Sequence, residues 1–292
     1  MNAFTIKDLE NLSGIKAHTI RIWEQRYSLL SPQRTDTNIR YYSNTELKTV
    51  LNIALLNKYG FKISHIDKMS AGTIKEKILS LSHSDAQQER MVNELIGFMV
   101  EMDVDAFEST LNKYIEDKGI EKCIIQIIFP FLSRVGILWL TNHINPGQEH
   151  LVTNLIRNKL VVGLEAVPTN LNCKNTALLF LPEGEHHELG ILFACYLLKS
   201  RGVRVVYVGS NIPLKDIEFI ARFKKPDFLY SHLTSVANNF NFEKFLINVH
   251  QKIPDLPVVI SGLLTQNYKK QLPENISLKK SLAEVMDYIS AL

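Results

Sequence analysis

The hexapeptide Glu185-His-His-Glu-Leu-Gly190 carries the residues best suited to chemistry. The apolar run 176–182 precedes it and apolar residues at helical spacing follow it, which predicts a strand, a loop and a helix. His187 would then lie beyond the carboxyl end of a strand, where open α/β sheets bind ligands. Glu185 can accept a hydrogen bond from one imidazole nitrogen and leave the other for a metal. Gly190 would let the backbone come close to a bulky ligand.

A second group of candidate binding residues consists of Trp139, Glu149 and His150. The tryptophan is predicted to end one helix, a Pro-Gly turn follows, and the Glu-His pair opens the next helix. An indole face with two hydrogen-bonding groups suits an adenine or a ribose. A core tryptophan beside a glutamate favoured at a helix N-terminus explains the same residues, and the residues alone favour this second interpretation.

The N-terminal residues 1–72 have a composition that favours an anionic partner. They contain ten Lys or Arg against six Asp or Glu, a net charge of +4, whereas the remaining 220 residues contain 23 against 24. Thr5 has capping-box spacing with Asp8, which predicts a short helix. A second helix is predicted from about Ala17 to Gln25. This is helix–turn–helix geometry, in which the second helix enters a DNA major groove.

The predicted second helix buries Ile20 and Trp23, which places a separate set of polar residues on another side: His18, Thr19 and Arg21. The stretch 27–42 is predicted to form a hairpin, or wing, whose last residues suit contacts with phosphates; they are Arg40, Tyr41 and Tyr42. Further helices are predicted to start at Ser43 and Ser64, and Gly60 is predicted to close the first of them.

Composition limits the class of protein. The 46% hydrophobic residues suffice for buried cores, no apolar run is long enough for a membrane span, and the N-terminus lacks a signal-peptide pattern. Cys123, Cys173 and Cys195 show no paired spacing and lie in apolar surroundings. They predict a reducing compartment and therefore a cytoplasmic protein without a membrane partner.

The expected fold is multidomain, with three parts of different architecture. Residues 1–72 predict an all-α winged helix-turn-helix. Residues 80–170 contain four apolar stripes at helical spacing, including a last helix from Glu149 with Leu151 inward, and predict a four-helix bundle. Residues 174–292 alternate short apolar runs with helical patterns, which predicts an α/β doubly wound, flavodoxin-like parallel sheet. Its strands are expected near 176–181, 204–208, 227–231, 257–261 and, more weakly, 276–278.

The first 70 residues resemble the winged-helix domain of the MerR family. The resemblance rests on Phe4-Thr-Ile-Lys-Asp-Leu9, Thr19-Ile-Arg-Ile-Trp-Glu-Gln-Arg-Tyr27 and Arg40-Tyr-Tyr-Ser43. Members of that family bind double-stranded DNA operators as dimers. The resemblance implies that Thr19 and Arg21 lie in the groove and that Arg40, Tyr41 and Tyr42 contact the DNA backbone.

Residues near three predicted strand ends are similar to the cobalamin-binding domain shared by methionine synthase and several mutases. They are Glu185-x-His187-x-x-Gly190, Ser231-x-Leu233 and Gly262. The resemblance implies that His187 is the lower ligand of cobalt and that the displaced nucleotide tail of the cofactor enters a slot lined by the other residues. The sequence departs from the family in having Glu185 for Asp and in having only Gly262 of a glycine pair, flanked by Ser261 and Leu263. Leu263 is expected to narrow the slot.

With both parts together, nearly the whole chain resembles the CarH/LitR-type regulators. Trp139 followed after nine residues by Glu149 and His150 is their hallmark. The resemblance implies adenosylcobalamin as the cofactor, with its adenosyl group against Trp139, and light sensing through its cobalt–carbon bond. Leu140 stands where the best-studied members have a histidine that caps cobalt after photolysis, and His143 is a weak candidate to replace it.

These observations predict a DNA-binding transcriptional repressor that catalyses no reaction and forms a homo-oligomer, a dimer or a tetramer. In the dark, adenosylcobalamin would stabilise the oligomer on its operator, and light would weaken it. Two alternatives stay open. A regulator of the same fold could respond to a partner protein, or to cofactor supply without light. A corrinoid-carrier component of a methyltransferase would share the bundle and the sheet, but it would not need the basic N-terminal module.

Overall fold

The computed structural model describes residues 3–27, 29–140, 144–168, 173, 175–235 and 240–292, with the backbone alone for 137–140. The chain divides into two compact units, Met1–Leu155 and Ile156–Leu292. The first unit holds the N-terminal module and most of the helix bundle, and the second holds the sheet. Within the described ranges, no helix is long and apolar enough to cross a membrane.

The N-terminal module begins with two helices and a small hairpin. The helices are α1 (Ile6–Ser13) and α2 (Ala17–Arg26), and the hairpin pairs β1 (Gln33–Arg34) with β2 (Arg40–Tyr41). Thr5 and Asp8 form the predicted capping box at the start of α1, and Gly14 ends that helix with a left-handed φ of 72°.

The module continues with α3 (Asn44–Lys58), α4 (Ile63–Ile66) and α5 (Ala71–Leu79). A capping box between Ser43 and Glu46 starts α3, as predicted. The prediction that Ser64 starts a helix is wrong, because α4 begins one residue earlier and Ser64 lies inside it. Ser70 caps α5, a helix that the polar composition of its segment did not reveal.

The bundle contains the four predicted helical segments. They are α6 (Ser84–Glu101), α7 (Val104–Lys118), a continuous rod, and α10 (Pro146–Ala166). The rod joins α8 (Ile120–Cys123), a π-helical turn at Ile124–Ile128, and α9 (Phe129–Leu140).

Helix α10 differs from its prediction in two respects. It starts at Pro146, before Glu149, because proline is favoured in the first turn of a helix, where its missing N–H is not needed. Val152, Ile156 and Leu160 form its buried stripe, whereas Leu151 is exposed. The prediction that Leu151 faces inward is therefore wrong.

The N-terminal module packs directly against the bundle within the first unit. Helix α3 contacts α6, and α1 contacts α9. Lys48 Nζ lies 2.5 Å from Glu101 Oε2, and Lys58 Nζ lies 2.6 Å from Glu89 Oε2. A Cβ on Gly97 would lie 2.7 Å from Lys48 Cε, so the small residue lets α3 approach α6 closely.

The second unit is built on the predicted parallel sheet. Its strands are β3 (Thr176–Pro182), β4 (Arg204–Ile212), β5 (Phe228–His232), β6 (Val258–Ser261) and β7 (Ile276–Lys279), in the order β4-β3-β5-β6-β7. This order changes direction beside β3, and such a switch point is where open sheets bind ligands.

In the described part of the second unit, five helices accompany the sheet: α11 (Glu188–Ser200), α12 (Leu214–Lys224), α13 (Phe242–Lys252), α14 (Leu263–Gln266) and α15 (Leu282–Ser290). Helices α12 and α13 bury apolar side chains against β3, β5 and β6, while α11 packs with α15. The sequence predicted all of these except the single turn α14. The loops at the carboxyl ends of the strands position the candidate site.

Candidate cofactor site and DNA-binding face

The carboxylate of Glu185, fully buried at the end of β3, organises the loop before α11. Its Oε1 lies 2.6 Å from His187 Nδ1 and accepts hydrogen bonds from the backbone N–H groups of His186 and His187, each at 2.9 Å. Its Oε2 accepts from the N–H groups of Thr234 and Ser235, at 2.7 and 2.9 Å. The carboxylate therefore fixes the imidazole of His187 and joins two strand-end loops.

The charge of Glu185 is stabilised by these partners. Burial alone would raise the pKa of its carboxyl group, but the hydrogen bonds from His187, Ser235 and Thr234 outweigh that effect and hold the pKa below its ordinary value. The His187 side chain is 56% exposed. A metal at this imidazole would be bound through Nε2, because Nδ1 is engaged by the carboxylate.

The next residue, Glu188, anchors the start of α11 on both sides. Its Oε2 accepts a hydrogen bond from Arg157 Nε on α10 at 2.9 Å, and its Oε1 accepts from the Tyr207 hydroxyl on β4 at 2.7 Å. Burial and the neighbouring carboxylate raise the pKa of Tyr207. The backbone that carries His187 is thus held by side chains from a helix and a strand.

The residues predicted to line a slot do lie together at the ends of β5 and β6. Ser231 and Leu233 are fully buried. The Ser231 hydroxyl donates to the carbonyl of Phe180 at 2.9 Å. Gly262 has a φ of 100°, and a Cβ there would lie 2.3 Å from the Leu233 carbonyl oxygen. Leu263, which was expected to narrow the slot, is 57% exposed.

His232, between Ser231 and Leu233, was not predicted as a site residue. Its Nδ1 lies 2.8 Å from Ser261 Oγ, which lies 2.7 Å from the hydroxyl of buried Tyr230. A Cβ on Gly190 would lie only 2.3 Å from two atoms of the His232 ring. The clearance that Gly190 provides is therefore occupied by the protein's own imidazole.

A separate cavity of about 430 Å³ opens on the other side of the β3 loop. Residues after β3 and at the starts of α12 and α13 line it, among them Gly184, Leu214, Phe240, Lys244 and Phe245. None of the predicted cofactor residues lies in its wall.

The predicted nucleoside-binding group is described only in part. The backbone of Trp139 and Leu140 lies in the last turn of α9, but their side chains, and the whole of His143, fall outside the described residues. In α10, Glu149 is half-buried and His150 is exposed, with 3.8 Å between Glu149 Oε2 and His150 Nδ1. The predicted role of all three residues stays a prediction.

Helix α2 carries the residues that the sequence predicted to contact DNA in the major groove. Ile20 and Trp23 are buried, as predicted, while His18 and Arg21 are exposed and Thr19 is half-buried. This division leaves a polar face with one guanidinium near the middle of the helix.

The wing differs from its prediction at one residue. Arg40 is half-buried, and its Nε donates to both carboxylate oxygens of Glu24, at 3.0 and 2.9 Å. The half-buried Tyr41 donates its hydroxyl to Gln33 Oε1 at 2.5 Å. Tyr42 is fully buried and pairs with Phe4 through a backbone bridge. This burial contradicts the predicted DNA contact of Tyr42, because alternate residues of an extended strand face opposite sides.

Sequence reasoning missed several residues that complete the strand-end loops. Thr234 and Ser235 supply two donors to Glu185, and Asn211 accepts from the N–H of Gly184 at 2.9 Å. Their only signal was position, since each follows or ends a predicted strand. His232 shared that signal, since it directly follows a predicted strand.

Comparisons with known proteins define the class. Residues 4–73 match the MerR HTH family regulatory proteins, and residues 91–162 match a B12 binding domain. The chain therefore joins a MerR-type helix–turn–helix module to a B12-binding region, and the matched B12-binding residues lie in the bundle.

Individual relatives extend this likeness over most of the chain. The chain is 26% identical to the HTH-type transcriptional repressor CarH of Myxococcus xanthus over 273 residues, which cover 91% of each protein. It is 24% identical to the repressor CarA of the same organism over 98% of this chain and 95% of CarA. The monomethylamine corrinoid protein of Methanosarcina barkeri has a similar fold, with a TM-score of 0.56 and 13% identity over 70% of this chain and 99% of that protein.

Proposed function

We propose that this protein is a DNA-binding transcriptional repressor controlled by a cobalamin bound through His187. The observation that carries the proposal is the pairing of His187 Nδ1 with the buried Glu185 carboxylate at 2.6 Å. An imidazole held by a carboxylate is a common arrangement for a metal ligand, and imidazole suits a transition metal such as cobalt. The donor set therefore fits cobalamin, and the match of residues 91–162 to a B12 binding domain supports the same cofactor.

Adenosylcobalamin is the form we propose, and when bound it would supply a photolabile cobalt–carbon bond. The protein's own residues would bind and orient it. His187 would hold the metal, Glu185 fixes that imidazole, and Trp139, Glu149 and His150 would bind the adenosyl group. Trp139→Ala should then reduce discrimination between adenosylcobalamin and methylcobalamin, measured by titration in the dark.

The contact between the module and the bundle gives a physical link from cofactor to DNA. Glu89 on α6 pairs with Lys58 of α3 and also lies 3.5 Å from Arg134 of α9. Lys48 and Glu101 form a second pair between α3 and α6. A shift within the bundle would disturb these pairs and so change the position of α3. We propose that, with the cofactor bound, light would change these contacts between the bundle and α3, weaken a homo-oligomer of two or four copies and end repression.

The decisive experiment combines absorption spectra with gel filtration. Purified protein is mixed with adenosylcobalamin in the dark, measured, illuminated and measured again. The proposal expects a bound spectrum and an oligomer in the dark, and a different spectrum with later elution after light. A bound spectrum with no effect of light on elution would exclude light sensing and leave cofactor supply as the signal.

Operator binding tests the other half of the proposal. Arg21→Ala should weaken binding to double-stranded DNA and leave cofactor uptake unchanged, because Arg21 lies on the exposed face of α2. Arg222→Ala, an exposed arginine on α12 in the second unit, is the matched control for loss of one positive charge. Equal weakening by both variants would contradict a groove contact by Arg21.

One observation favours a second candidate, a regulator of the same fold that responds to a partner protein. The clearances at Gly190 and Gly262 are filled by His232 and by the Leu233 carbonyl. This candidate expects the purified protein to stay colourless with any corrinoid.

A further inference from the structure

His232 occupies a defined position in the sheet domain that the proposed function has not used. Its Nδ1 is hydrogen-bonded to Ser261 Oγ, and that hydroxyl is hydrogen-bonded to Tyr230. Ser261 and Tyr230 are buried. The imidazole is therefore held by a chain of three side chains across β5 and β6, and it is not a mobile surface group.

The other edge of the ring lies on the backbone of α11. A Cβ placed on Gly190 would be 2.3 Å from Cδ2 and Nε2 of His232 and 2.8 Å from Cε1. Because distances below 3.0 Å are not compatible with a real Cβ, this packing requires glycine at position 190. Gly190 is three residues beyond His187, on the first turn of α11.

A corrinoid bound through His187 would present its lower face to this part of the sheet edge. The nucleotide tail of cobalamin is attached on that same side of the corrin, so a tail displaced by His187 would lie beside it. The backbone at Gly190 offers the clearance for such a tail, and the His232 ring fills that clearance.

The same contact gives the side chains at positions 232 and 261 a shared role. His232 stands between Ser231 and Leu233, and Ser261 stands directly before Gly262. These two residues hydrogen-bond each other at 2.8 Å, and a glycine at 261 would offer no hydroxyl to hold the ring. Burial also lowers the pKa of His232 to about 4, so the ring is neutral near pH 7 and can remain in an enclosed site.

We propose that His232 selects the corrinoid by its tail: the ring takes the place of the nucleotide base, and the protein binds a tail-free corrinoid in preference to cobalamin. This inference rests on the proposed function, since it assumes a corrinoid on His187. Selection arises from excluded volume, with Ser261 fixing the ring that excludes the base.

The test compares adenosylcobalamin with adenosylcobinamide, which lacks the nucleotide tail, in dark titrations of the full chain followed by absorption. Wild type should bind the cobinamide at least about tenfold more tightly, the discrimination expected for a mismatched group in a closed pocket. His232→Gly should remove that preference or reverse it. Ser261→Gly keeps the His232 ring but removes the hydroxyl that is hydrogen-bonded to it. This variant should have a ratio of cobinamide to cobalamin affinity between those of wild type and His232→Gly.

His250→Gly is the matched control. His250 is also partly buried and hydrogen-bonded through Nδ1, to Asn275 Oδ1 at 2.7 Å, but it lies on α13 away from Gly190. The ratio of its affinities for adenosylcobinamide and adenosylcobalamin should equal that of wild type. An equal preference in wild type and in both His232→Gly and Ser261→Gly overturns the inference while the proposed function stands. Failure of every variant to bind either corrinoid overturns both.

Discussion

Two histidines follow neighbouring strands of one sheet, and their surroundings differ in charge, exposure and neighbours. His187, after β3, is 56% exposed and pairs with a fully buried carboxylate. His232, the last residue of β5, is partly buried, pairs with the neutral hydroxyl of Ser261 and lies against the backbone of Gly190. One imidazole is largely exposed, and the other fills space inside the domain.

The two histidines lie at the same sheet edge, but His187 is suited to binding a ligand and His232 to packing. A charged partner fixes the ring of His187 and increases its basicity as a ligand. Burial keeps His232 neutral and lowers its pKa to about 4, against the opposing effect of the Glu185 charge. Substitutions at the two positions should therefore affect different properties, ligand binding at one and stability or ligand choice at the other.

The largest expected effect comes from removing the proposed ligand. His187→Ala should lower corrinoid affinity by more than about a hundredfold, since the loss of an outer partner of a ligand alone costs about 10- to 100-fold. It should also abolish the spectroscopic signature of nitrogen coordination below cobalt. Titration followed by absorption, and electron paramagnetic resonance of the reduced cobalt, measure both.

His186→Ala is the control for that variant. His186 is exposed, adjacent in sequence, and contributes only its backbone N–H to Glu185, which alanine retains. Equal losses in the two variants would assign the effect to the loop in general and would remove the distinction between a ligand and its neighbours.

The second-largest expected effect comes from removing the charge of the Glu185 carboxylate, which pairs with His187. Glu185→Gln keeps the size of the side chain but turns an NH₂ group toward backbone N–H donors that now bond to oxygen. Corrinoid affinity should fall by about 10- to 100-fold, and the free energy of unfolding by about 1 to 3 kcal/mol for the unsatisfied donors.

Glu183→Gln, an exposed glutamate two residues earlier, should change neither quantity. Chemical denaturation of the ligand-free proteins separates the loss of stability from the loss of affinity. Unchanged affinity in Glu185→Gln would mean that the carboxylate holds the loop but does not support the ligand.

The two histidines also differ in how far the sequence predicted them. Glu185 and His187 are two residues apart, so their contact is local, and the strand before them was readable from its apolar run. The contact of His232 with Gly190 depends on the register of β5 against β3 and on the position of α11, which no local pattern specifies. Gly190 was correctly marked as a position of close approach, but the approaching group is the chain itself.

In the N-terminal module, too, local features were predicted correctly and a contact between distant residues was not. Caps at Thr5 and Ser43 and the buried pair Ile20 and Trp23 are local features, and the structure confirms them. Tyr42 was assigned to the surface with its neighbours, but a bridge to Phe4, 38 residues away by position number, places it in the core. Among the residues of the second unit that the structure describes, five strands and all but one helix followed from periodicity, whereas side-chain partners at strand ends did not.

The third effect tests the packing role of His232 through Gly190. Gly190→Ala should lower the free energy of unfolding by about 1 to 3 kcal/mol, because the added methyl group overpacks the ring. In a His232→Gly background the same change should be neutral or stabilising by up to about 1 kcal/mol, since alanine favours a helix over glycine. Thermal or denaturant unfolding of the four proteins forms a double-mutant cycle.

Gly136→Ala on α9 is the matched helical control, because nothing lies within 4 Å of its Cβ position. It should be stabilising in either background. A destabilisation by Gly190→Ala that persists without the His232 ring would show that another neighbour, and not this imidazole, requires the glycine.

The smallest expected effect is in the pH dependence of stability, to which His232 and Glu185 contribute over different pH ranges. His232 has a folded-state pKa of about 4 against an ordinary value of 6.5, so the unfolded chain binds the extra proton first as pH falls. Stability should therefore decrease as pH falls from 6.5 toward 4, by about 1 kcal/mol between pH 7.5 and 5.5. Glu185, whose folded-state pKa is lowered, contributes stability that is present above its ordinary pKa of 4.5 and is lost only below it.

The measurement is the free energy of urea unfolding of wild type and His232→Gln at several pH values. Glutamine at 232 removes the titrating group, so the variant should be less sensitive than wild type between pH 7.5 and 5.5. A His232→Gln protein with the wild-type slope would assign the acid sensitivity to other groups and would contradict a neutral, enclosed imidazole at the end of β5.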